Sequence, residues 1–185
     1  FYTLYKTPQI DADLTQIDAD KSENVLDKWI LSLLNKLIAE VTDYLENYKV
    51  MEAGRAIRDF IFDLSQWYVR RSRERFKAQN PKLKAEATST LRFVLIELAK
   101  VMAPFTPFIA EEVYKTVGGE KESVHLEDWP SFARATEGKP QAGAARSDVL
   151  ENMRMVREIV SEALEKRSAL GIKVRQPLAA LKIRN

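Results

Sequence analysis

The stretch "SENVLDKWILSLLNKLIAEVTDYLEN", residues 22–47, decides the fold. Its large apolar side chains recur every three or four positions, at Leu26, Trp29, Leu33, Leu37, Val41 and Leu45. Because an α-helix has 3.6 residues per turn, this spacing places them on one helical face. Asp20 and Glu23 precede the stripe in a D-x-x-E spacing, and we expect them to cap the helix. A face this long needs partner helices to cover it, which indicates a bundle.

Three more segments with the same helical spacing follow, and together they predict a four-helix bundle over residues 22–119. We expect these helices at residues 51–78, 82–103 and 107–117. Pro81 and Pro104 end the first two, because the residue before a proline is disfavoured in helical geometry. Thr106 is the expected N-cap of the last helix, with Pro107 at its first position. Gly118 and Gly119 end it.

The flanking segments predict less regular structure. Residues 1–21 are polar and acidic, and we expect an irregular leading segment. Residues 120–146 form a connection rich in glycine, alanine and proline towards its end. Residues 147–185 combine a fifth helix, 147–169, with a strand-like end that suggests the start of a β-containing extension. The predicted fold is therefore an all-α up-down bundle whose C-terminal helix leads into a truncated module, within a longer polypeptide.

The composition limits the possible functions. Hydrophobic residues make up 45% and charged residues 30%, which excludes a disordered tail and a membrane protein. The first residues show no basic region followed by an apolar stretch, so we expect no signal peptide, and the absence of cysteine fits a reducing compartment. We expect a cytoplasmic protein with no membrane partner. The single histidine, His125, is expected to be structural, and no arrangement of residues predicts a metal, a cofactor or catalysis by this chain alone.

A basic stretch, "SQWYVRRSRERFK" at residues 65–77, ends the predicted second helix. The chain has a net charge of only +2, yet residues 70–77 hold five bases against one acid: Arg70, Arg71, Arg73, Arg75 and Lys77, against Glu74. At 100° per residue, Arg71 and Arg75 continue the apolar face, whereas Arg70 and Arg73 point outward. The two pairs are therefore expected to have different roles.

Two interpretations of these arginines remain open and can coexist. In one, Arg71 and Arg75 pair with carboxylates of a neighbouring element, for instance the acids among residues 11–27. In the other, the arginines bind RNA phosphates or base edges, and an aromatic side chain offers a surface on which bases stack. The candidates for that stacking surface are Trp67, Tyr68 and Phe76.

Five stretches occur in an order that closely resembles the anticodon-binding region of class I isoleucyl-tRNA synthetases. They are "DKWILSLLNKLIAEVTDYLENY", "AIRDFIFDLSQWYVRRSRERFK", "LAKVMAPFTPFIAEEVY", "SVHLEDWP" and "KVRQPL". The element "MAPFTPFIAEEVY" is shared by the valyl and leucyl enzymes. The combination of "WYVRRSRERF" with "SVHLEDWP" indicates the isoleucyl enzyme.

The resemblance implies a function for the whole polypeptide. The family couples ATP-driven activation of isoleucine to its transfer onto tRNA, and ATP and Mg belong to the full-length enzyme. Its motifs H-I-G-H and K-M-S-K-S do not occur in this chain. The chain is therefore expected to hold the anticodon stem-loop of tRNA-Ile, next to the catalytic domain of the same polypeptide. The alternatives are the valyl or leucyl enzyme, or a helical module whose arginine-rich end docks an acidic protein.

The resemblance also adds candidate residues. In related enzymes the anticodon loop meets the beginning of the first bundle helix and the end of the second, which correspond to residues 29–36 and 67–77 here. The first region adds Asn35 and Lys36 as secondary candidates. The second adds Lys77, which stands where an aromatic residue is usual in the family.

Overall fold

The computed structural model describes residues 24–130, 142–178, 180 and 182, and these are helical or irregular with no strand among them. The helices are α1 (Val25–Glu46), α2 (Val50–Asp63), α3 (Arg73–Phe76), α4 (Pro81–Met102), α5 (Pro107–Val117) and α6 (Ala142–Ala169). A π-helical turn, Leu64–Val69, follows α2 directly, and a 3-10 turn spans Val124–Leu126. The predicted all-α class is confirmed. No helix in this described part is long and apolar enough to cross a membrane.

Helix α1 is the centre of the bundle and packs against α2, α4 and α6. Because it has neighbours on several sides, its buried face is wider than the predicted stripe and includes Ile30 and Leu34. Its cap differs from the prediction. The side chain of Asn24 accepts a hydrogen bond of 2.9 Å from the backbone N–H of Leu26. Asp20, expected in this role, lies outside the described residues.

The second helix is not the uniform helix expected over residues 51–78. It widens into the π-helical turn and is interrupted by a turn at Ser72 before α3. Side chains four residues apart, Leu64, Tyr68, Ser72 and Phe76, all stay buried. In a regular α-helix, each four-residue step rotates the side chain by about 40°. The π-helical turn offsets this drift between Leu64 and Tyr68, since a π-helix bonds each residue to the fifth along instead of the fourth. Beyond it, the N–H groups of Ser72 and Phe76 again bond to the carbonyls four residues back.

Helices α4 and α5 lie close to their predicted bounds and meet at a tight junction. Pro107 begins α5 as expected, and Gly118 ends it in a left-handed conformation with φ of 76°. Thr106 is the N-cap residue of α5, as predicted, but its side chain makes no capping hydrogen bond. Its hydroxyl donates instead to the carbonyl of Met102, 3.5 Å away, which also accepts the backbone N–H groups of Phe105 and Thr106.

The first part of the predicted connection packs against α4 and α5. Val124 is buried with Ala99, Ala110 and Tyr114 in a second, smaller core. Glu111 accepts hydrogen bonds of 2.9 Å from the Ser123 hydroxyl and the Val124 N–H. Residues 131–141 of the connection lie outside the described part.

Helix α6 starts earlier than the predicted residue 147 and lies against the bundle. Its side chains Val149, Leu150 and Met153 pack on the main core. The strand expected after it does not form in the described residues 172–178. There the guanidinium of Arg167 donates to the carbonyl of Lys173 at 2.6 Å, which holds the backbone in a turn.

Gly54 offers a test of the α2 assignment. It lies inside α2, and a Cβ built there would have no atom within 4 Å. Gly54→Ala should therefore raise the free energy of unfolding by about 0.8–1 kcal/mol, through helix propensity alone. Gly118→Ala is the matched control, and its positive φ should cost about 1–2 kcal/mol instead. Urea titrations compare the two variants, and a loss of stability in Gly54→Ala would contradict the described helix.

Candidate nucleic-acid interface

Exposed bases gather where the second helix ends. Arg70, Arg71, Arg73 and Lys77 are all exposed, and no carboxylate of the described residues lies within ion-pair distance of them. We call these four residues the basic end. Four uncompensated charges on about two turns create a local positive potential although the chain is nearly neutral.

A buried ion pair holds this segment against α1. Both terminal nitrogens of Arg75 donate to Asp27, Nη1 to Oδ1 and Nη2 to Oδ2, each at 2.7 Å. Asp27 is 1% exposed and lies in the first turn of α1, where the helix dipole favours a carboxylate. The predicted pairing of Arg75 with an acid among residues 11–27 is confirmed. Two parallel charge-assisted hydrogen bonds fix direction as well as distance, so Arg75 orients the basic end.

Tyr68 completes this network. Its hydroxyl donates to Oδ1 of Asp27 at 2.8 Å, and its side chain is fully buried. Burial, with Asp27 next to the hydroxyl, raises the pKa of Tyr68 well above its usual range. The hydrogen bond to Asp27 likewise raises the pKa of Arg75. Both groups therefore keep their protons at neutral pH, and both keep donating to the carboxylate.

The structure corrects two of the three stacking candidates. Tyr68 and Phe76 are 0% and 1% exposed, so neither ring has a face open to a base. Both side chains lie in the buried row on the inner face that runs from Leu64 to Phe76. Trp67 is half-buried and is the remaining aromatic candidate.

Arg71 was expected on the inner face and lies on the outside. The π-helical turn rotates it away from the core, and its guanidinium Cζ lies over the Trp67 ring, 4.8 Å from the centroid. A second guanidinium, of Arg157 on α6, lies over the same ring at 5.2 Å. Cation–π contacts of this kind restrict the conformations of long arginine side chains.

Sequence reasoning missed Arg157, because the charges of α6 suggest a solvated face. A local signal exists nonetheless. Arg157 is four residues after Met153, which packs on the core, so the two lie on the same side of the helix.

The similarity of this chain to known proteins agrees with this geometry. The family model described as the anticodon-binding domain of tRNA ligase matches residues 27–183. The chain belongs to this family. The match covers the hydrogen-bonded residues Asp27, Tyr68 and Arg75 and all four residues of the basic end. The part of the chain that matches the family therefore contains the candidate RNA-binding residues at the end of the second helix.

Several curated relatives of this anticodon-binding domain are named isoleucine–tRNA ligase. The protein from Deinococcus radiodurans is 35% identical over 184 residues, covering 100% of this chain and 16% of the relative. The relative from Porphyromonas gingivalis is 40% identical and that from Clostridium novyi also 40%, each covering 99% of this chain. The chain spans about a sixth of the length of these relatives.

The secondary candidates Asn35 and Lys36 of this anticodon-binding domain lie on α1, further along the helix than Asp27. Lys36 is nine residues beyond Asp27 along α1, which is about 13 Å at 1.5 Å per residue. It is exposed and lies 3.6 Å from Glu40. It lines a groove between α1 and α2 of about 410 Å³, which also holds Glu52 and Asp59. An anionic ligand gains less there than at the basic end, and contact of Asn35 or Lys36 with RNA stays a prediction.

The described residues of the domain bring together no group of three or more histidine, cysteine or acidic side chains that could hold a metal ion. His125 is exposed in the 3-10 turn, where its backbone N–H bonds to the Ser123 hydroxyl.

Proposed function

We propose that this chain binds the anticodon arm of tRNA-Ile as part of a cytoplasmic isoleucine–tRNA ligase. In that enzyme the catalytic domain of the same polypeptide activates isoleucine with ATP and Mg and transfers it to the tRNA. The observation that carries the proposal is the basic end: four exposed bases without a carboxylate partner among the described residues, on a segment oriented by the Arg75–Asp27 pair. The names of the relatives support isoleucine as the amino acid.

The four bases divide into separate roles in this proposal. Arg70 and Arg73 contact phosphates or base edges of the anticodon loop, since unpaired loop bases are what proteins read in RNA. Arg71, lying over Trp67, offers a cation next to an aromatic ring, and Lys77 adds a phosphate contact. Arg75 has both terminal nitrogens on Asp27 and acts by orientation.

Arg70→Ala and Arg73→Ala should each weaken binding of the tRNA-Ile anticodon stem-loop by the intact polypeptide that carries this chain. Each lost phosphate contact should flatten the slope of log K against log salt by about 0.7. Arg58→Ala is the matched control, because Arg58 is also an exposed arginine, on α2, and pairs with Asp59. Fluorescence anisotropy over a salt series measures both quantities. Unchanged affinity and slope in both variants would contradict the proposal.

Stem-loops with altered anticodons separate the alternatives. Tighter binding of the isoleucine anticodon than of valine or leucine anticodons is the expected result. Preference for a valine or leucine anticodon would assign the chain to that enzyme instead. Equal affinity for all of them would favour a non-specific polyanion site or the docking of an acidic protein.

A further inference from the structure

Helix α6 contacts the segment that leads into the basic end through Arg157. The guanidinium of Arg157 donates to both carboxylate oxygens of Asp63, Nη1 to Oδ2 at 2.9 Å and Nη2 to Oδ1 at 2.6 Å. The two side chains are 32% and 15% exposed, so the pair is partly shielded from water. Asp63 is the last residue of α2 before the π-helical turn. The pair therefore fastens α6 to the place where the second helix widens.

The guanidinium of Arg157 also lies over the ring of Trp67, the same ring over which the guanidinium of Arg71 lies. Trp67 lies within the π-helical turn, and the Cζ atoms of Arg71 and Arg157 lie 4.8 and 5.2 Å from its ring centroid. Two cations next to one ring repel each other, and Asp63 offsets this repulsion by neutralising Arg157. Single π-helical turns inside α-helices are frequent at functional sites, where they change the direction of side chains.

The two arginines differ in what they have left to offer an anion. Asp63 occupies both terminal nitrogens of Arg157, which leaves this guanidinium poorly placed to take a phosphate. Arg71 has no carboxylate within ion-pair distance among the described residues and is exposed. Arg71 is thus the member of the cluster that can bind, and Arg157 is the member that is fixed.

We propose that Arg157 is a positioning residue for RNA binding, and that α6 thereby supports the RNA-binding surface without contacting the RNA. Fixed by Asp63, it holds the Trp67 ring in the orientation on which Arg71 lies. Arg71 then presents its remaining N–H groups to a phosphate of unpaired RNA, with less side-chain freedom to lose on binding. This inference rests on the proposed function and adds an element that lies 94 residues from Asp63 in sequence.

A double-mutant cycle on the intact polypeptide tests it, with the tRNA-Ile anticodon stem-loop as the probe. Arg157→Gln and Arg71→Ala should each reduce affinity by roughly fivefold, the size of one moderately shielded cation–ring contact. The double variant should lose no more than Arg71→Ala alone, because Arg157 is proposed to act only through Arg71. Arg157→Lys keeps a charge for Asp63 without the planar fork, and should restore affinity only in part.

Arg154→Gln is the matched control on the same helix. Arg154 is exposed and pairs with Glu151 and Glu158. Its replacement by glutamine should leave RNA affinity unchanged. If Arg157→Gln lowers the unfolding temperature but RNA affinity per folded molecule is unchanged, the residue only stabilises the fold and the inference is wrong. Additive losses in the double variant would also overturn it. Both results leave the effects of Arg70→Ala and Arg73→Ala standing, so they are distinguishable from failure of the proposed function.

Discussion

Replacing Arg75 with methionine should lower the free energy of unfolding by about 3–5 kcal/mol, the usual cost of removing one partner of a buried ion pair. The reason is the group left behind. Asp27 is 1% exposed, and without Arg75 it loses two charge-assisted hydrogen bonds and the charge that compensates its own. Methionine keeps most of the volume of the arginine side chain, so the loss reports charge rather than a cavity. Urea unfolding followed by circular dichroism measures it.

A triple variant is the control for this prediction. Asp27→Leu, Tyr68→Phe and Arg75→Met together remove the carboxylate with both of these donors to it. Replacing a buried ion pair by apolar groups is often close to neutral, so the triple variant, which leaves no charge at residue 27, should be more stable than Arg75→Met alone. A triple variant less stable than the single one would show that the charge left on Asp27 is not the cause.

The difference between Arg71 and Arg75 shows what the sequence can and cannot predict at this site. The outward placement of Arg70 and Arg73 and the pairing of Arg75 follow from a simple angular count, and the structure agrees. The count fails for Arg71 because it assumes 3.6 residues per turn throughout. Whether a π-helical turn forms depends on how its side chains pack against the neighbouring helices. This tertiary effect leaves no pattern in the local sequence.

Helix α6 shows the same limit at larger separation. Its helical nature and its C-terminal end at Ala169 were predictable from spacing and from Gly171. Its contact with Asp63 and Trp67 was not, because pairing over 94 residues depends on how the bundle closes. The hydrogen bonds from Arg167 to the carbonyls of Lys173 and Gln176 could not be predicted either, because the alternating sequence there suggests a strand.

Replacing Gly119 with alanine should destabilise the chain by about 3 kcal/mol, at the upper end of the range for overpacking. A Cβ at this position would overlap the Cζ and Cε1 atoms of the Tyr114 ring. That ring is fully buried, and its hydroxyl donates to Glu127 and accepts the N–H of Lys121 at 2.9 Å. Burial raises the pKa of Tyr114 to about 12, so the hydroxyl keeps its proton at neutral pH. Burial and these two hydrogen bonds therefore restrict any movement of the ring away from an added Cβ.

A second double-mutant cycle identifies the clash as the cause. Tyr114→Ala alone should cost about 3–5 kcal/mol, as for other large buried rings. Once the ring is gone, Gly119→Ala should add little to that loss, so the two costs should be far from additive. Urea unfolding of the two single variants and the double variant measures this coupling. Additive costs would mean that residue 119 needs glycine for its backbone and not for the approach of Tyr114. RNA affinity per folded molecule should not change in any of the three, because this second core lies on α4, α5 and the 3-10 turn and contains no residue of the basic end.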